Sequence, residues 1–382
     1  MKPVSYAEDP LAPLSSRSPL GERLETIHRA LRRRLDFVDR IAVAVYDDKT
    51  ETLKTFLAST GNGNPLENYE AGVEEAPALA EVLRGGRPRV VNDLSVFREG
   101  RNEHTRRLRE HGYGSGCAFP MRVAGELAGC VFFNSYRTGC FSEETVELLG
   151  VHAHLVSHMV ALELLTIRTL RAALKTANDM VHYKDPETGN HLERMARFSR
   201  LIARDLARSG TAGFDDETIE HLFAFSPLHD VGKIGIPDRV LLKPGRLGPD
   251  EWEVMKTHAA KGRAMVDAII RNFGMESFEH VDLLRHVAEH HHETLDGCGY
   301  PHKLRGEQIP LAARIVAVAD VFDALTSRRP YKSAWSNDRA FGELRKLARE
   351  KLDGTCVESL IRNRQAVEDI QRRFREEAEP RG

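Results

Sequence analysis

The chain of 382 residues has no Cys-x-x-Cys pair, no run of 18 apolar residues, no low-complexity tract and no internal repeat. Without paired cysteines, neither a zinc ribbon nor a thioredoxin-type redox motif is expected. The five cysteines (Cys117, Cys130, Cys140, Cys298 and Cys356) are scattered and odd in number, which reads as reduced thiols in a cytoplasmic protein. Without a long apolar run, no membrane span is expected. The opening "MKPVSYAEDPLAPLSSRSPL" lacks the apolar core of a signal peptide. Neither sign of charge prevails. The formal net charge of −2 gives no whole-surface argument for a nucleic acid polymer or an anionic membrane as partner.

What is present fits a globular protein of two or three domains, with 41% hydrophobic and 29% charged residues. After a Pro- and Ser-rich tail, "LGERLETIHRALRRRL" has helical periodicity. "RIAVAVYDD" and "LKTFLAST" read as strands joined by a turn. Residues 76–83 and 102–111 look helical, and "RVVNDL" extended. "GCAFPMRV" and "LAGCVFFNS" form a hairpin across "AGE". This order predicts an α+β domain with an antiparallel sheet.

Residues 142–181 contain no proline and one glycine, Gly150. Val160, Leu164, Ile167, Leu170, Leu174, Ala177 and Val181 fall at spacings of 4, 3, 3, 4, 3 and 4. That is close to a heptad seam. It predicts a long helix that either pairs with its twin in a homodimer or packs on its own domain. From about residue 184 the pattern is almost wholly helical, with helices over 191–209, 215–229, 249–272, 281–293, 312–326 and 337–352.

That helical half is rich in metal-ligand residue types. Glu187 and His191 are four apart. "LHDVGKIGIPD" supplies His229, Asp230 and Lys233, and "KTHAAKG" supplies His258. "EHHHETLDGCGYP" supplies His291 and His292, and "ARIVAVADVFDALTSRRPYK" supplies Asp320, Asp323, Arg329 and Lys332. An aspartate inside an apolar helix such as Asp320 needs a partner. Mixed imidazole and carboxylate donors suit iron, manganese or zinc. Two or three such metals close together activate water and hold both oxygens of a phosphoryl transfer. Each segment alone would be an ordinary polar helix face. His221, His286, His290 and His302 are given that reading.

The first part, through "VNDL", "GYGSGCAFPMRVAGELAGCVFFNS" and "FSEETVELLGVHAHLVSHMV", resembles a GAF domain, a small-molecule sensor module. The second part resembles an HD-GYP domain, the branch of HD phosphohydrolases that cleaves cyclic dinucleotides. The resemblance implies a flexible tail (1–18), a GAF-like domain (19–145), a linker helix (146–183) and an all-α HD-type domain (184–382).

It further implies that His229, Asp230, His258, His291, His292 and Asp320 hold metals, with Asp230 bridging. Glu187 and His191 would complete a third position. Lys233 would touch substrate phosphate, with Asp323 an orienting or acid–base partner. Gly299, Tyr300 and Pro301 would shape the substrate loop, and Arg329 and Lys332 would grip its phosphates. The metals would be two or three divalent ions, iron first and manganese second. Thr294, Leu295, Cys298 and the segment "LDGTCVESLI" depart from the family pattern. None is an expected ligand, so the departures bear on the substrate pocket.

Three functions stand. One is a phosphodiesterase converting cyclic di-GMP to linear pGpG or GMP, governed by a ligand of the sensor domain. The second is an enzyme for another cyclic dinucleotide such as cyclic GMP-AMP. The third is a non-catalytic dinucleotide receptor.

Overall fold

A computed structural model describes residues 9–15, 18–74, 77–97, 103–182, 189–275, 280–327 and 334–375. The chain divides into two compact units, Met1–Thr166 and Ile167–Gly382.

The first unit is an antiparallel sheet with helices on both faces. Its strands are β1 (Arg40–Asp47), β2 (Thr52–Thr60), β3 (Glu70–Gly72), β4 (Arg89–Val91), β5 (Ser115–Val123) and β6 (Glu126–Ser135). They lie in the order β3-β2-β1-β6-β5-β4. Its α-helices are α1 (Leu20–Arg32), α2 (Pro77–Gly85), α3 (Glu103–Glu110) and the first part of α4 (Glu143–His182), which runs on past the boundary at Thr166. The period-2 pattern of β1 splits its side chains. Ile41 and Val43 join one core with Leu24, Ile27 and Leu31 of α1, and Ala42 joins another with Val82 and Leu83 of α2. The β5–β6 hairpin turns at Ala124 and Gly125, both with positive φ, the backbone of a two-residue turn. Short β3 carries no pattern long enough to be predicted.

Helix α4 contributes to both units' cores. Val160 is buried with α1 and the sheet, whereas Ile167 and Leu170 are buried with Phe225 and Val266 of the second unit. The seam positions are therefore used inside the chain. The side chains of Leu174, Ala177 and Val181 lie outside the described set. Among the described side chains, the large hydrophobic ones that α4 leaves exposed are Val151, Leu162 and Leu165. The expectation of no membrane span meets one exception. Glu143–Leu170 is long and apolar enough to cross one by length and composition, though 33% of its most apolar window is buried in the fold.

The second unit holds α5 (Gly189–Arg208), α6 (Asp216–Phe225), α7 (Asp238–Leu241), α8 (Pro249–Lys256), α9 (His258–Asn272), α10 (Val281–His290), α11 (Leu311–Thr326), α12 (Asn337–Leu347), α13 (Gly354–Arg362) and α14 (Arg364–Arg373). Helix α11 is central. Ala313, Ile315, Val316, Val318, Ala319 and Phe322 are all fully enclosed, so it is apolar on nearly every side. Met195, Phe198, Ile202 and Leu206 of α5 pack on it at helical spacing.

The single helix expected over 249–272 is two. Thr257 turns its hydroxyl back onto the Val254 carbonyl at 2.6 Å and closes α8, so His258 opens a new helix. Helices α13 and α14 are short and were not expected from periodicity. Asp353 of the divergent "LDGTCVESLI" segment caps α13 through the N–H groups of Thr355 and Cys356, and also accepts from Arg314.

Candidate metal centre

Of the four groups of donor side chains found among the described residues of the second unit, two are built from the expected residues. In one, ligand atoms of Asp230, His258, His291 and His292 lie within 4.8 Å of one another; in the other, those of His191, His229 and Asp320 do. The adjacent pair His229–Asp230 contributes one residue to each. It sits between two short 3-10 turns, Ser226–Leu228 and Val231–Gly235. Gly232 lets the second turn approach α9, because a Cβ there would meet the His258 carbonyl oxygen at 1.9 Å and the Gly262 nitrogen at 2.3 Å. That close approach brings His258 against Asp230.

Three of the histidines have their ring protons assigned by the backbone. Nδ1 of His229 donates to Ser226 O at 2.9 Å, that of His258 to Met255 O at 2.8 Å, and that of His291 to Val287 O at 3.0 Å. A carbonyl only accepts, so each neutral ring keeps its lone pair on Nε2. Those Nε2 atoms converge on the Asp230 carboxylate. His229 lies 3.3 Å from Oδ2, and His258 and His291 lie 3.3 and 3.7 Å from Oδ1. The His258 and His291 Nε2 atoms are 3.4 Å apart. Lone pairs packed against a carboxylate repel unless a cation lies among them. The donor set therefore fits divalent metal, and its carboxylate–imidazole composition fits a first-row transition ion.

Electrostatics agree with neutral ligands. Burial pushes the His291 ring below its ordinary pKa, and burial with His291 beside it pushes His292 well below. Burial would raise the Asp230 carboxyl, but it is held well below the carboxylate range, with the Lys233 ammonium the largest lowering cause. Lys233 Nζ is 2.7 Å from Asp230 Oδ2.

In the second group, His191 Nδ1 bonds Asp323 Oδ2 at 2.7 Å, which turns Nε2 toward Asp320 Oδ1 at 4.0 Å. Asp323 is fully enclosed. It also accepts from Arg194 Nε at 2.6 Å and Ser327 Oγ at 2.8 Å. Of its two expected roles, orienting His191 is the one this geometry fits. Arg194 escaped the sequence reading. Its only signal was its place three residues after His191, on the same face of α5.

The loop after His292 is held by structure-bearing residues. Glu293 accepts from the backbone of His302 at 2.6 Å and Leu304 at 3.0 Å. Asp296 accepts from Thr294 Oγ1 at 2.5 Å and Cys298 N at 2.9 Å. Gly299 is confined: a Cβ would meet Thr294 N at 2.4 Å and Glu293 Cα at 2.5 Å. This folding sets the Tyr300 ring 4.7 Å from His292, with Pro301 following through a cis peptide bond. The expected residues Glu187, Arg329 and Lys332 lie outside the described residues.

Comparison with known proteins gives two family matches: a GAF domain over residues 18–161 and an HD domain over residues 175–356. The response regulator RpfG of Xanthomonas campestris pv. campestris, named a cyclic di-GMP phosphodiesterase, is 44% identical over 200 residues, covering 52% of this chain and 50% of RpfG. A cyclic di-GMP phosphodiesterase of Thermotoga maritima is 38% identical over 204 residues, covering 53% of this chain and 52% of that protein. The 3'3'-cGAMP-specific phosphodiesterase 2 of Vibrio cholerae is 36% identical over 181 residues, covering 47% of this chain and 32% of that protein. The chain thus spans about half the length of the first two of these relatives, and less of the third. Residues 18–161 thus match the GAF domain family, and residues 175–356 the HD domain family.

Proposed function

We propose that the chain is a metal-dependent phosphodiesterase that opens cyclic di-GMP to linear pGpG and, by a second cleavage, to GMP. The observation that carries this is the convergence of imidazole lone pairs and carboxylates in two donor groups joined by His229–Asp230. Divalent metal bound there supplies Lewis acidity and an activated water. Iron is the first candidate and manganese the second, with Glu187 the residue that would add a third ion beside the two groups.

The chain's own residues orient the reaction. Water attacks one phosphorus, the bond to the 3′ oxygen breaks, and that oxygen leaves as a hydroxyl. Asp230 spans the two donor groups. Lys233, held beside Asp230, offers its ammonium to a non-bridging phosphate oxygen. Asp323 and Arg194 fix the His191 ring. Tyr300, against His292, offers a ring face at the mouth of the centre, shaped by Gly299 and Pro301. Arg329 and Lys332 are assigned the outer phosphate.

A cyclic GMP-AMP substrate is the second reading. The named activity of the Vibrio cholerae relative favours it.

Regulation is assigned to the first unit. A small, part-open cavity lies against its sheet, lined by Leu79, Arg89, His104, Phe132 and Asn134 among others, and its mostly apolar lining suits a small, largely apolar ligand. A homodimer through α4 would use the exposed Val151, Leu162 and Leu165. Reduced cysteines suit a cytoplasmic protein.

The deciding experiment purifies the full chain without oxygen, counts metals by elemental analysis and follows cyclic di-GMP and cyclic GMP-AMP by chromatography. Two or three metals with a linear or mononucleotide product are expected. A full metal count with both dinucleotides intact would replace the enzyme with a receptor.

A further inference from the structure

We propose that Glu217, His221 and His280 form a separate cation site of the zinc class, which ties α6 to the start of α10. Their ligand atoms lie within 4.8 Å of one another, and the group shares no residue with the two donor groups around His229 and Asp230. Glu217 and His221 stand four apart on α6, and His280 immediately precedes α10. All three are withdrawn from solvent, with Glu217 at 5% and His221 at 1% exposure, and the His280 side chain at 11%.

The chemistry is that of a ligand set. His221 Nδ1 donates to the Glu217 carbonyl at 2.7 Å, which leaves the lone pair on Nε2. This is the same backbone-fixed tautomer found in His229, His258 and His291. His280 Nε2 is 3.2 Å from Glu217 Oε1, and the two rings stack 4.0 Å apart at 25°. Two imidazoles and one carboxylate from two helices make the donor set of many zinc sites, with a fourth position left for water. The neighbouring positions Ile219 and Leu222 on α6 and Val281 and Leu284 on α10 are buried and apolar. There a divalent ion neutralises the carboxylate.

The consequence is mechanical. Helix α10 ends at His290, next to His291 and His292. A cation at its first end fixes the helix that presents two ligands at the other.

The test uses the full chain and His280→Ala, with Glu217→Gln as a second variant should the first fold poorly. Each is stripped with chelator, checked by circular dichroism and titrated with Zn²⁺ alone against a chromophoric chelator. The parent is expected to bind one zinc more per chain than either variant, and its zinc-induced rise in Tm is expected to shrink in both. Replacement by Co²⁺ should give a parent-minus-variant difference spectrum with visible bands of a low-coordinate site. Equal zinc stoichiometry in parent and variants would overturn the site. So would a loss of more than one metal, since the residues would then be acting on the centre at Asp230.

Discussion

Nδ1 of His191 and Oδ2 of the fully enclosed Asp323 are 2.7 Å apart, in a network that Arg194 and Ser327 complete. The carboxylate fixes which nitrogen of His191 faces Asp320. Although burial alone would raise the Asp323 carboxyl, the hydrogen bonds of His191 and Arg194 bring it below its usual range.

Asp323→Asn should therefore weaken metal binding without touching a ligand. Loss of such an orienting partner costs about 10–100-fold in affinity, and a buried Arg194 left without its anion destabilises by about 3 kcal/mol or more. Metal content after dialysis against graded chelator, together with Tm, reads both effects. Unchanged affinity would remove the orienting role.

Asp230→Ala should abolish turnover and lower metal content at once, because His229, His258 and His291 all face that carboxylate. Elemental analysis and product chromatography on the same preparation measure this. Full activity would sink the assignment of the centre.

Gly299→Ala should separate loop from metal. The added methyl meets the backbone of Thr294 and Glu293 rather than a movable side chain, so the loop must shift and carry Tyr300 with it. Turnover should fall at least tenfold while the metal count holds. Loss of metal in parallel would show that the loop also maintains the ligands.

The first unit should lose stability in acid through His104. Burial, with Arg40 adding to it, lowers this ring to about 4. The unfolded ring titrates near 6.5. As pH falls below about 6.5, the unfolded chain takes up the proton first, so stability drains away until about pH 4, where the folded ring also protonates. The full effect is roughly 3 kcal/mol, an upper limit for a ring that keeps some hydration. Hydrogen exchange of β5 and β6 at pH 7 and 4.5, compared with His104→Gln, tests it. An equal fall in both proteins would assign the acid lability elsewhere.

The sequence by itself determined the antiparallel sheet, the largely helical second half and the residue types from which the two donor groups are drawn. Alternation in "RIAVAVYDD" and the "AGE" turn are local signals, and clustered His and Asp types announce metal chemistry wherever they fold. Tertiary structure decided which donors meet. His191 joins His229 and Asp320 across three segments, and Arg194 matters only because α5 lies against α11. His221, an ordinary helix histidine in sequence, gains its place from His280, 59 residues away. The heptad spacing of α4 likewise could not say whether its apolar seam meets a twin or its own chain, and Val160, Ile167 and Leu170 are buried in their own chain. Periodicity reports that a face is apolar; only packing settles what covers it.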